Sequence, residues 1–125
     1  MSAATAAATV APTGAITPPL KGSAYRRAAA PSWAPSGAGY WVKPLFEDAK
    51  TGERTLLMRI EPGIVSAPHA HEGEFEQIFL LEGSFEDDNG MLKPGDYACR
   101  APGAIHSGRT TTGCVMLLIY SRRPA

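Results

Sequence analysis

From position 40 onward, the chain alternates between short apolar runs and turn-forming residues. The runs are rich in β-branched, aromatic and long aliphatic side chains, and they cover 40–46, 54–60, 75–81, 84–86, 96–100 and 114–120. Such residues favour strands. No ten-residue stretch shows the 3.6-residue period of an amphipathic helix. The pattern predicts an antiparallel all-β domain.

The breaks between these runs contain Asp, Asn and Gly, as in segments 48–52 and 87–90, and these residues favour tight turns. Several runs are apolar at consecutive positions, as in 75–81. One face of such a strand can line a barrel while the other meets a second layer or subunit. We therefore expect a barrel that forms a homodimer through its outer sheet face.

The first 39 residues have a different composition. They are dominated by Ala, Pro, Gly, Ser and Thr, with prolines at positions 12, 18, 19, 31 and 35, which discourage helices and central strands. We predict an N-terminal arm over 1–39 and a barrel domain over 40–125, with the arm clasping the dimer partner. Trp33, Tyr40 and Trp41 lie where the two meet, as interface anchors or as a lid over the barrel mouth.

Size and charge restrict the possible functions. The chain has 125 residues, enough for one domain, and 12 basic residues balance 12 acidic ones. No block of like charge predicts a nucleic-acid or membrane partner. The first ten residues lack a basic region and a long apolar stretch, so a cytoplasmic protein is expected. Cys99 and Cys114 are not spaced as a zinc motif and are expected to be reduced and buried.

All three histidines of the chain occur in a pattern that suits a metal ion. His69 and His71 project from the same face of an extended segment because side chains alternate there. Glu76 begins the next apolar run, so a hairpin would bring it close, and Glu74 competes for the same role. His106 lies in a later turn-rich stretch. Three imidazoles and a carboxylate predict one divalent transition metal, such as iron, manganese, zinc, nickel or copper.

The spacing of these residues resembles the cupin superfamily. The pattern Gly63-x5-His69-x-His71-x4-Glu76-x6-Gly83 matches the first cupin motif, and its spacing to Gly83 favours Glu76 over Glu74. The second motif is matched by 95–96 and by 102–106, which ends at His106. Ala101 stands where that motif has proline, and its later asparagine is missing. The resemblance implies a small jelly-roll barrel, a double-stranded β-helix.

Three further segments, 82–87, 93–97 and 112–114, resemble the ChrR-type branch of the cupins. That branch includes the zinc-binding cupin of anti-sigma factors and small dioxygenases that cleave diketones and acetophenones. The resemblance implies an Fe(II)-type dioxygenase acting on a small diketone- or hydroxyketone-like substrate, with iron or zinc as the favoured metal. Two alternatives stay open: a non-redox isomerase, decarboxylase or hydrolase, and a metal- or ligand-sensing module. Against the latter, the chain lacks the helical Cys/His zinc domain that would bind a sigma factor.

Several other residues are candidates for chemistry near the metal. Glu76 could also act as a base. Arg59 and Arg100 could hold an anionic substrate oxygen if they face inward, with surface positions as the alternative. Tyr97 could donate a phenolic proton or could simply pack in the core. The apolar wall of the cavity, or ordinary core, is expected from Met58, Phe79, Met116 and Leu118.

Overall fold

The computed structural model describes residues 14–28 and 33–123, and these ranges contain strands and turns but no helix. The strands are β1 (Ala34–Pro35), β2 (Tyr40–Asp48), β3 (Glu53–Ile60), β4 (Glu74–Gly83), β5 (Phe85–Asp87), β6 (Gly90–Leu92), β7 (Tyr97–Arg100), β8 (Gly108–Arg109) and β9 (Cys114–Arg122). Each of the six predicted runs forms a strand, so the predicted all-β fold is confirmed. The short strands β1, β6 and β8 were not predicted, because they have two or three residues and contain no aromatic or β-branched side chain.

The strands form two antiparallel sheets that face each other. The larger sheet has the order β1-β2-β3-β9-β4-β7 and the smaller one the order β6-β5-β8. Segment 63–69 extends the smaller sheet beside β8. There the Gly63 amide donates to Thr110 O at 2.8 Å, and the Ser66 amide donates to Gly108 O at 2.8 Å. The apolar core lies between these two layers, as in a small jelly roll.

The turns follow the predicted chemistry. Asp48 Oδ1 accepts the Lys50 amide at 2.9 Å, and Asp87 Oδ1 accepts the Asn89 and Gly90 amides at 2.8 and 3.0 Å. Gly83 ends β4 with a φ of 76°, and a Cβ there would collide with the backbone of Gly113. Only glycine fits this position without displacing the chain.

The register of the central strands arranges inward side chains in rows across the larger sheet. The polar row consists of Arg54, Tyr120, Glu76 and Arg100. The next two rows are apolar: the first is Leu56, Leu118 and Ile78, and the second is Met58, Met116 and Leu80. The chain therefore changes from polar to apolar along one face of the sheet.

The opposite face of the same sheet is apolar and partly uncovered. Leu57, Leu117, Phe79 and Tyr97 stand side by side across four strands, and we call them the outer row. Phe79 and Tyr97 are 39% and 54% exposed. The prediction that Phe79 lines the cavity is wrong, because Phe79 is one residue out of phase with the inward-facing Ile78. Cys114 is buried as expected, but Cys99 is exposed on this outer face.

The described part of the N-terminal arm packs on its own chain. Ile16 forms a parallel bridge with Phe46, and the Ile16 amide donates to Leu45 O at 2.9 Å. Arg26 Nε donates to Pro44 O at 3.0 Å, and β1 pairs with β2. Residues 1–13 and 29–32 lie outside the described ranges, so the clasp around a partner stays a prediction. No helix within 14–28 or 33–123 is long and apolar enough to cross a membrane.

Candidate metal centre

Backbone pairing brings the three histidines together. His69 and His106 form an isolated antiparallel bridge in which each amide donates to the other carbonyl at 2.9 Å. Their ring centroids are 4.3 Å apart, and the His71 ring is 5.3 and 5.5 Å from those of His69 and His106. One ring nitrogen from each histidine lies within 4.8 Å of the other two. These three nitrogens can reach one ion.

Hydrogen bonds to backbone carbonyls orient two of the rings. His69 Nδ1 lies 2.8 Å from Ala67 O, and His106 Nδ1 lies 3.1 Å from Ala104 O. A protonated Nδ1 that donates to these carbonyls leaves the lone pair on Nε2, which is the nitrogen free to bind a metal. Burial, together with the positive charge of Arg100, lowers the pKa of His106. The neutral imidazole is the form that ligates metals.

Glu76 is the buried carboxylate of the site, with only 4% of the residue exposed. Its Oε2 lies 3.6 Å from His71 Nε2 and its Oε1 lies 3.9 Å from His106 Nε2. Arg100 Nε donates to Oε1 at 3.1 Å, and the Tyr120 hydroxyl donates to Oε2 at 2.5 Å. Each oxygen therefore keeps a second lone-pair direction. The carboxylate is held beside the histidine nitrogens by two donors from neighbouring strands.

Tyr120 was not predicted as a site residue, although it is 5% exposed and its ring lies 5.1 Å from that of His71. Burial and the nearby carboxylate of Glu76 raise the pKa of Tyr120 above its usual value, so its hydroxyl stays a donor. Its ring packs under Arg54, whose guanidinium carbon is 4.2 Å from the ring centroid. The sequence offers only one signal for Tyr120: it falls on the same alternating positions of β9 as the apolar Cys114, Met116 and Leu118, which are buried.

Glu74 has a different partner from Glu76. Arg54 Nη2 donates to both oxygens of Glu74, at 3.0 and 3.2 Å. Towards the histidine cluster, Glu74 Oε1 lies 4.0 Å from His71 Nδ1. Since Glu76 faces the Nε2 atoms of two histidines, the geometry favours Glu76 as the carboxylate of the site.

Arg100 links the polar row to the smaller sheet. Its Nε contacts Glu76, and its Nη2 lies 2.9 Å from Asp87 Oδ2 on β5. Burial alone raises the pKa of Asp87, but the Asn89 and Gly90 amides and the Arg100 guanidinium outweigh it and lower the pKa. The Arg100 guanidinium thus lies between the carboxylates of Glu76 and Asp87 and stabilises both. The Arg100 side chain is 10% exposed.

The histidines, Glu76 and Arg100 lie in a cavity of about 490 Å³ between the two sheets. Its other lining side chains are mostly apolar and include Met58, Ile60, Ile78, Phe85, Met116 and Leu118. Clefts of this size and composition are typical of small-molecule sites. The donor set and its surroundings fit a divalent transition metal with a small organic ligand beside it.

Two of the predicted catalytic candidates lie elsewhere. Arg59 is outside the cavity, because it alternates with the inward-facing Met58 and Ile60, and its guanidinium lies between the rings of Trp33 and Trp41 at 5.5 and 5.3 Å. Tyr97 lies on the outer face and donates to Gln77 Oε1 at 2.7 Å. The structure brings Arg100 to the histidines but not Arg59 or Tyr97, so neither of the latter can contact a ligand bound there.

The fold and the histidine cluster agree with a family-level match. The ChrR cupin-like domain matches residues 21–123. The chain belongs to this family. A search of the curated proteins gave no match. The ChrR-type branch inferred from the sequence motifs is thereby confirmed.

Solved structures share the fold of this ChrR cupin-like domain. An acetylacetone dioxygenase from Acinetobacter johnsonii has a TM-score of 0.70 and 18% identity over 81% of this chain and 75% of its own. The structure of Rhodobacter sphaeroides SigE in complex with the anti-sigma ChrR has a TM-score of 0.63 and 23% identity, over 75% of this chain and 51% of that one. KdgF from Halomonas sp. has a TM-score of 0.61 and 21% identity, over 74% of this chain and 87% of its own. At these identities the likeness establishes the fold alone.

Proposed function

We propose that this protein is a metal-dependent enzyme that holds Fe(II) with His69, His71, His106 and Glu76 and cleaves a small diketone- or hydroxyketone-like substrate with dioxygen. The observation that carries the proposal is the convergence of three histidine nitrogens, within 4.8 Å of one another, in a mostly apolar cavity. The fold shared with an acetylacetone dioxygenase supports the choice of reaction.

Bound Fe(II) supplies Lewis acidity to a substrate with two adjacent oxygens and electrons to dioxygen. The residues of the chain prepare the substrate. Glu76 accepts the proton that the carbon between two carbonyls loses, and Arg100 and Tyr120 keep its carboxylate in place. The Arg100 guanidinium also stabilises negative charge that develops on the substrate. Apolar side chains form most of the remaining wall of the site.

A second candidate keeps the same site without oxygen chemistry. The buried carboxylate of Glu76 lies beside the histidine cluster, 3.6 Å from His71 Nε2, where it could act as the base of an isomerase, decarboxylase or hydrolase on a substrate in the cavity. A sensing module is a third candidate, since the anti-sigma ChrR has the same fold. Both predict ligand binding without oxygen consumption.

Oxygen uptake tests the leading proposal. The metal-free protein is reconstituted with Fe(II) or with Zn(II), and each form is given a panel of β-diketones and hydroxyacetophenones in an oxygen electrode. We expect substrate-dependent uptake by the Fe(II) form alone. Turnover of a substrate by both forms without uptake would support the non-redox enzyme instead. Metal binding with neither uptake nor turnover would support the sensing module.

We further propose that a second copy of the chain covers the outer row and that the N-terminal arm contributes to this homodimer. The row presents four apolar side chains in register across four strands, and Phe79 and Tyr97 are the most exposed of them. Uncovered apolar faces of this kind are typical of protein interfaces. Trp33 and Trp41, stacked on Arg59, extend the same face towards the arm.

A further inference from the structure

The cavity has a polar end and an apolar end, and the rows of the larger sheet define its length. Its lining takes Tyr120, Glu76 and Arg100 from the polar row, Ile78 and Leu118 from the first apolar row, and Met58 and Met116 from the second. Each row is two residues further along the strands. At roughly 3.3 Å per residue, the second apolar row lies about 13 Å from the polar row.

Charged groups are confined to one end of this space. Among the described lining residues, the ionisable side chains other than Tyr40 are the three histidines, Glu76, Arg100 and Tyr120. Beyond them, the walls are mainly Met58, Ile60 and Met116 on the larger sheet and Phe85 on the smaller one, together with the hydroxyl-bearing Ser36 and Tyr40, of which Tyr40 pairs with Ile60. A charged group would find no oppositely charged partner there, and burying it would be unfavourable. An apolar group would instead gain from leaving water.

We infer that the ligand of this cavity is an amphiphilic small molecule: a chelating pair of oxygens at the histidine end, with an alkyl or aryl tail that lies along the apolar rows. This inference rests on the proposed function for the oxygen pair, while the tail rests on the composition of the walls. Met58 and Met116 are cross-strand neighbours on the inward face of β3 and β9. Unbranched methionine side chains adapt to tails of different shape. Acids or sugars with polar groups along their whole length do not match these walls.

A chain-length series tests the inference. The dissociation constants of pentane-2,4-dione and of its hexane, heptane and nonane homologues are measured by calorimetry on the metal-free and the Zn(II)-loaded protein, without oxygen chemistry. Each added methylene should tighten binding about fourfold until the cavity is full. An analogue of the longest dione with a terminal carboxylate should bind more weakly than its apolar counterpart.

Two matched variants locate the tail. Met58→Phe fills part of the cavity and should weaken the long homologues while leaving pentane-2,4-dione unchanged. Leu57→Phe makes a similar change on the outer face and should leave the whole series as in the wild type, so it controls for folding. Loss of the length dependence in both variants would overturn the assignment of the tail to this cavity.

The results separate this inference from the proposed function. Affinity that rises with chain length supports the inference, and if the Fe(II) form nevertheless consumes no oxygen with these diones, the dioxygenase proposal fails while the inference stands. Affinity that is independent of length, or no binding of any dione to either form, would overturn the inference.

Discussion

Strand β4 shows how one stretch of sequence serves two surfaces. Its inward residues, Glu76, Ile78 and Leu80, are each at most 4% exposed and provide the carboxylate beside the histidine cluster and part of the apolar core. Its outward residues Phe79 and Leu81 are 39% and 41% exposed. Both sets are largely apolar, so hydrophobicity alone does not separate them. What separates them is parity along the strand, because neighbouring side chains point to opposite faces.

Loss of a histidine should have the largest effect on the inner face. His71→Ala removes one of three converging nitrogens, so we expect the protein to lose its stoichiometric metal while the barrel stays folded. Elemental mass spectrometry gives the metal content, and circular dichroism checks the fold. Gln77→Ala, on the outward face of β4, is the matched control and should keep the metal. A fully occupied His71→Ala variant would contradict the ligand assignment.

The two glutamates of β4 should differ from each other. Glu76→Gln removes the charge that faces two Nε2 atoms, and we expect it to weaken metal binding about 10- to 100-fold, less than a lost histidine. Glu74→Gln should change the affinity little, because Arg54 already holds that carboxylate. The measurement is a competition titration against a chelator of known affinity. A larger effect at Glu74 than at Glu76 would reverse the assignment.

The hydroxyl of Tyr120 should have a smaller effect. Tyr120→Phe leaves the ring in place and removes the donor to Glu76 Oε2, which should lower metal affinity about tenfold. Tyr97→Phe removes a hydroxyl on the outer face, where it bonds Gln77, and should leave the affinity unchanged. Equal affinities for the two variants would show that Tyr120 does not position Glu76.

The outer face should not affect the metal at all. Phe79→Glu places a charge in the outer row, so we expect the homodimer to dissociate while metal content is retained. Light scattering after size-exclusion chromatography gives the mass. Met91→Glu, at a position that is 49% exposed on the smaller sheet, is the control and should remain dimeric. A wild-type protein that is monomeric in this measurement would contradict the proposed homodimer.

The sequence predicted the strands and the pair His69 and His71 from local patterns, whereas His106 was assigned to the cluster through its place in the second cupin motif. The six runs carry enough β-forming residues to be recognised, and His69 and His71 share a face by spacing alone. Arg59 and Arg100 were equivalent in sequence, since each lies in a strand. Only the register decides that Arg100 pairs with Glu76 whereas Arg59 faces outward.

Tyr120 likewise could not be identified as a site residue from the sequence. It lies 44 residues after Glu76, and no motif in the neighbouring sequence indicates that its hydroxyl bonds to that carboxylate. Its role follows from the pairing of β9 with β4, which places Tyr120 opposite Glu76. Pairing between strands that are distant in sequence is set by the whole core, so short motifs could not reveal it.

Metal stoichiometry of the wild-type protein tests the central claim most directly. Metal-free protein is titrated with Fe(II) under anaerobic conditions, or with Zn(II), and examined by native mass spectrometry. We expect one tightly bound ion per chain, because one set of three histidine nitrogens converges in the cavity. Failure to bind either ion, or several weakly bound ions per chain, would contradict the assignment of this cluster as a metal centre.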